Sequence, residues 1–107
     1  VPTFQDDFHP DALLDITRHR RAARTNQLGQ LMRLIDDVID HGLAPGEYPV
    51  QPVTVLNGSG LYERCAPQMF GVFAIVQAPV PSQLPVFVLL AVDTTAAAAR
   101  ALAATRV

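Results

Sequence analysis

Residues 61–92 read LYERCAPQMFGVFAIVQAPVPSQLPVFVLLAV, and two segments inside them, 69–76 (MFGVFAIV) and 86–92 (VFVLLAV), are unbroken apolar runs of strand length. Runs rich in Val, Ile and Phe without polar alternation suit strands covered on both faces. They predict the buried centre of a sheet. Between them Pro79, Pro81 and Pro85 lack a backbone donor and resist helix, so 77–85 reads as a long hairpin connection. Just upstream, 61–66 alternates, with Tyr62 and Arg64 on one face and Leu61, Glu63 and Cys65 on the other, and Pro67 closes that strand.

The rest of the chain must cover these strands. Residues 1–7 read as a short edge strand ended by Asp6 and Asp7. At His9-Pro10-Asp11 a helix begins, because proline fits the first turn and an acidic residue complements the helix N-terminus. Leu13, Ile16, Arg20 and Ala23 then share one side. Thr25 or Asn26 suits the cap of a second helix, in which Leu28, Leu31, Met32, Ile35, Val38 and Ile39 recur at three and four residues. Gly42 is placed for a left-handed cap, and Pro45 with Gly46 prevents continuation. A helical hairpin is preferred to one bent helix over 11–41. Residues 45–52 read as an irregular crossing, 53–56 as a strand, and Asn57-Gly58-Ser59-Gly60 as a turn. After Asp93-Thr94-Thr95, which offers an N-cap, AAAARALAATR has high helix propensity, with Leu102 and an alanine face to dock on the sheet or on a partner subunit.

At 107 residues the chain reads as a single domain, 1–107, and half of its residues are hydrophobic with 17% charged, which opposes disorder. No apolar run reaches the length of a membrane helix. The formal net charge of −2 argues against a wholly basic nucleic-acid binder, and the basic residues are all arginine. The single cysteine, Cys65, and an N-terminus without the order of a signal peptide point to a reducing cytoplasm. His9, His19 and His41 share no ligand spacing, so neither a metal nor another cofactor is expected.

These elements predict an α+β fold in which an N-terminal helical hairpin packs on one side of a small antiparallel β-sheet, with a short C-terminal helix. LNGSGLYERCAPQMFGVFAIV followed by VFVLLAV resembles the RelE/ParE superfamily of small bacterial toxins, in its HigB-like and phage Gp49-like branch. The resemblance implies a toxin-like component of a toxin/antitoxin pair, acting as a metal-independent mRNA endoribonuclease or translation inhibitor. Its implied partners are an antitoxin protein and the ribosome or mRNA. It places Arg64 beside Tyr62 as catalytic residues, with Arg64 holding a phosphate. Gly71 stands where relatives commonly carry arginine, and residues 93–96 lack the basic character expected there.

Metal-free RNA cleavage needs a base for the ribose 2′-hydroxyl, a donor for the leaving oxygen and positive charge at the phosphate. Glu63 lies on the wrong face of its strand, and His19 or His41 would have to approach from the helices. Arg18, Arg21 and Arg24, in a cluster with His19 and Arg20, are the candidate RNA contacts, although no aromatic residue is interleaved to stack a base. The competing reading makes Arg64 and Glu63 solvated sheet residues and the arginine cluster a solvated helix end. Two other functions stay open: a catalytically silent binding or dimerisation module of the same fold, for which uncovered apolar area invites a homodimer, and an unrelated small-molecule-binding α+β domain.

Overall fold

A computed structural model describes residues 3–43, 54–56 and 61–106. The expected turn at 57–60 and the crossing at 45–52 lie outside the described residues. The elements are β1 (Gln5–Phe8), α1 (Pro10–Arg21), α2 (Thr25–His41), β2 (Thr54–Leu56), β3 (Leu61–Ala66), β4 (Met69–Val76), β5 (Val86–Asp93) and α3 (Ala96–Ala104). The chain is an α+β fold with its helical hairpin at the N-terminus, and the two apolar runs are neighbouring strands near the middle of the sheet.

The sheet order is β1-β5-β4-β3-β2. β2 to β5 form an antiparallel meander, whereas β1 joins β5 in parallel, so the sheet is mixed rather than wholly antiparallel. The helices also divide. Leu28, Leu31, Ile35 and Val38 of α2 and Ile16 of α1 pack with Phe73, Phe87 and Leu89 on one face, while Ala99 and Ala103 of α3 pack with Val72, Leu90 and Ala91 on the other. The hairpin thus keeps to one side of the sheet and α3 lies on the other. Strands apolar on both faces require a cover on each, and the alanine face of α3 supplies the second.

The hairpin turns at Ala23, whose φ of 60° reverses the chain. Arg24, not Thr25 or Asn26, occupies the N-cap of α2, with no side-chain cap bond. Gly42 ends α2 at φ 88° and donates its N–H to Val38 O at 2.8 Å. Gly71 lies directly under α2: a Cβ built there would meet Ile35 Cδ1 and Leu31 Cδ2 at 3.4 Å. A long side chain at this position would have to displace the Ile35 and Leu31 tips.

A β-bulge shifts the β4–β5 register, since Val72 is opposite Ala91 but Phe73 is opposite Leu89. The extra residue, Leu90, sends both Leu90 and Ala91 toward α3 and returns Val92 to the hairpin side. β1 ends at Phe8, opposite Leu89. Past that point side chains replace a neighbouring strand. Arg106 Nη1 donates to Leu90 O at 2.9 Å, Val92 N donates to Asp15 Oδ2 at 3.0 Å, and His19 Nε2 lies 3.2 Å from Val92 O. The backbone groups of β5 are thus satisfied where its edge would otherwise be bare.

Candidate functional site

Tyr62 and Arg64 lie on the hairpin side of β3, as their alternation requires. Tyr62 is partly buried and stacks on Phe73 at a centroid distance of 5.6 Å, and Phe73 stacks on Phe87 at 4.4 Å. Arg64 is sealed beneath α2 with its side chain 1% exposed, and its Nη2 lies 3.3 Å from Asp37 Oδ2. The position meets a helix carboxylate and not a solvent-borne phosphate. Among the described residues, Arg64 Nε and Nη1 have no hydrogen-bond partner.

Asp37 also faces His41, one turn further along α2: His41 Nδ1 is 3.1 Å from Asp37 Oδ1, and the histidine side chain is 60% exposed. A buried arginine, a buried carboxylate and an exposed imidazole therefore stand in a row. A base oriented by a carboxylate is an arrangement that acid–base chemistry uses. The spacing Asp37 to His41 at i,i+4 was legible in the sequence, but it is also an ordinary helix pair.

On the opposite face of β3, Glu63 takes a two-pronged contact from Arg100 of α3, Nε to Oε2 at 2.8 Å and Nη2 to Oε1 at 2.9 Å. Burial and then the nearby Glu63 raise the Cys65 thiol, with Arg64 opposing, so the reactive thiolate is disfavoured.

The arginine cluster does not form one surface. Arg18 Nη2 turns to Asp93 Oδ2 at 3.4 Å and lies 3.7 Å from Asp15 Oδ1. Arg24 Nη1 lies 3.1 Å from His19 Nδ1. Nε2 in turn lies 3.2 Å from Val92 O and 3.4 Å from Arg18 Nη2; since a guanidinium only donates, the closer Arg24 contact assigns Nδ1 as the acceptor. Only Arg21 of the three remains exposed without an ion pair among the described residues. Arg106 Nη1 binds Asp15 Oδ2 at 2.6 Å and Nη2 binds Oδ1 at 3.2 Å, and this contact raises the guanidinium pKa against the opposing cost of burial. Asp15, His19 and Arg106 were not identified from the sequence as a unit; their type predicts a surface, whereas Asp15 and His19 are buried and Arg106 is partly covered.

The arginine end of the hairpin and His41 are at opposite ends of α2, roughly 24 Å apart for its 17 residues. The structure thus separates the expected RNA contacts from the one exposed, carboxylate-held imidazole. An open groove of ≈ 330 Å³ lies instead along the hairpin, lined by Phe8, Leu13, Ile16, Arg20, Leu28 and Met32 among others.

No helix among the described residues is long and apolar enough to cross a membrane. Compared with protein-family models, curated proteins and solved structures, the chain matches none.

Proposed function

We propose that this chain is a non-catalytic interaction module of the toxin-like α+β kind, which works in the cytoplasm by docking another protein rather than by cleaving RNA. The observation that supports this reading is the enclosure of Arg64 against Asp37, both almost wholly removed from solvent. The positive charge that phosphate stabilisation requires is already neutralised, and extracting it would expose the hydrophobic interface between α2 and β3. The test is incubation of the purified chain with RNA, alone and in a translating extract. Intact RNA and unimpaired translation are expected. Metal-independent cleavage by the wild type would overturn the reading.

One observation favours a second reading, a toxin-like ribonuclease or translation inhibitor held in check by an antitoxin protein: the exposed His41 imidazole is held by Asp37 at 3.1 Å. In that reading His41 takes the proton of the 2′-hydroxyl, and Arg64 acts only by bracing Asp37. Growth arrest on induction that is lost in His41→Gln, at matched levels of folded protein, would support it. Arrest unaffected by His41→Gln would remove His41 from the mechanism.

A further inference from the structure

The groove along the hairpin is bounded by β1, α1 and α2. Ile16 and Leu28 form its floor, Phe8, Leu13 and Met32 its apolar walls, and Leu13 is 49% exposed. Gly29 lies on its α2 side, where an added Cβ would meet nothing within 4 Å. The wall there is low and open to an approaching surface.

A basic residue lines one end, and acidic residues stand beyond the other, outside the lining itself. Arg20 lines the end nearest the hairpin turn. One turn beyond Met32 on α2 stands Asp36, close enough to Asp40 and Asp6 for both to act on it electrostatically. Leu28 and Asp36 are eight residues apart, roughly 12 Å along the helix. Among the described residues no ion pair engages Arg20, Asp6, Asp36 or Asp40. Burial, then Asp40, then Asp6 raise the Asp36 carboxyl.

A two-fold axis through the apolar middle of such a groove exchanges its ends. The basic end of each copy then meets the acidic end of the other, and the apolar walls meet each other, which is the self-complementarity an isologous interface requires. We propose that the groove between β1, α1 and α2 binds a second copy of this chain in antiparallel array, with Arg20 of each copy against Asp36 of the other. The proposal rests on the interaction-module reading and names its partner.

The test is sedimentation or light scattering over a concentration series. The wild type self-associates, and added salt weakens the association. R20E and D36R each place like charges at both ends of the interface and weaken it roughly tenfold or more. Mixed together, R20E and D36R recover a heterodimer, because each variant then presents the charge the other lacks. Gly29→Gln, at a position where the fold has room, also weakens the dimer by filling the groove. Circular dichroism and thermal melts confirm that these exposed substitutions leave the monomer folded. A wild type that stays monomeric throughout overturns the proposal, as does a dimer indifferent to both charge reversals. RNA cleavage by the chain in either state counts against the interaction-module reading alone, so the two failures are distinguishable.

Discussion

Glu63 and Arg64 are adjacent in β3 and face opposite layers, Glu63 binding Arg100 of α3 and Arg64 binding Asp37 of α2. One dipeptide therefore ties both helical layers to the same strand. Two neighbouring charges are tolerated inside because alternation sends each to its own face and each face supplies the opposite charge. Nearby contacts between these layers and the sheet are chiefly apolar, and apolar contacts tolerate sliding. α2 lies over β3 itself, whereas α3 lies over β4 and β5 and reaches β3 through Arg100.

Arg64→Ala leaves the Asp37 carboxylate without its buried guanidinium and opens a cavity beneath α2, so it lowers unfolding free energy by about 3–5 kcal/mol. The double variant Arg64→Met with Asp37→Leu removes both charges while keeping volume, and recovers most of that loss. Urea denaturation of the two variants checks this. The result bears on function: a loss of biological effect in Arg64→Ala is uninterpretable without the double variant, because the single one damages the fold.

Arg106 satisfies two groups at once, the buried Asp15 carboxylate and the Leu90 carbonyl at the bulge. Arg106→Ala leaves the Leu90 carbonyl unmet and Asp15 with only the Val92 N–H and the more distant Arg18, and is expected to cost roughly 3 kcal/mol. Arg106→Lys recovers only part, since an ammonium cannot bind both carboxylate oxygens in the parallel geometry of a guanidinium. Thermal melts rank the three proteins, and amide exchange locates the loosening at residues 90–92.

These polar contacts explain where the sequence was legible. Continuous apolar runs exposed β4 and β5, and the three–four repeat exposed α2, because burial there is made by apolar side chains. In α1 the rule fails. Leu13 was expected on the buried side but is half exposed, while Asp15 and His19 are buried. They are inside to satisfy the backbone of β5 beyond the end of β1, a demand created by strand length and a bulge that no periodicity reports. The face of α3 was similarly hidden, since an alanine-rich helix fits either side of a sheet. Arg64 was correctly assigned to its strand face, but its partner 27 residues earlier lay beyond any local pattern.

Asp36→Asn stabilises the monomer near neutral pH. Partial burial disfavours the Asp36 charge first, and Asp40 one turn away adds to this; a like-charge pair at that spacing costs about 0.2–0.5 kcal/mol on an exposed helix. The folded carboxyl titrates above the ordinary aspartate value, so the unfolded chain loses its proton first as pH rises. Stability falls through the window from about pH 4 up to the raised folded value, and the penalty is complete above it. Asp36→Asn therefore gains stability at neutral pH and nothing near about pH 3. Melts at low concentration, where the monomer prevails, measure this gain. The same substitution weakens self-association, and that opposite sign separates the intrachain role of Asp36 from its interface role.

Gln68 completes the tight connection Pro67-Gln68 between Ala66 and Met69, which are paired across β3 and β4. Its φ of 61° lies in the left-handed region, where a Cβ crowds the following carbonyl. Proline before it presets its own φ for the first corner of such a turn, and glycine is the residue the second corner favours. Gln68→Gly relieves the strain but adds freedom to the unfolded chain, so the net gain is up to about 1 kcal/mol. Gln68→Val, branched at Cβ, shifts stability the other way by a similar amount. Chemical denaturation of the pair, with unchanged dependence on denaturant, shows whether the turn alone is responsible. Equal stability of the glycine and valine variants would show that this corner opens without disturbing β3 and β4.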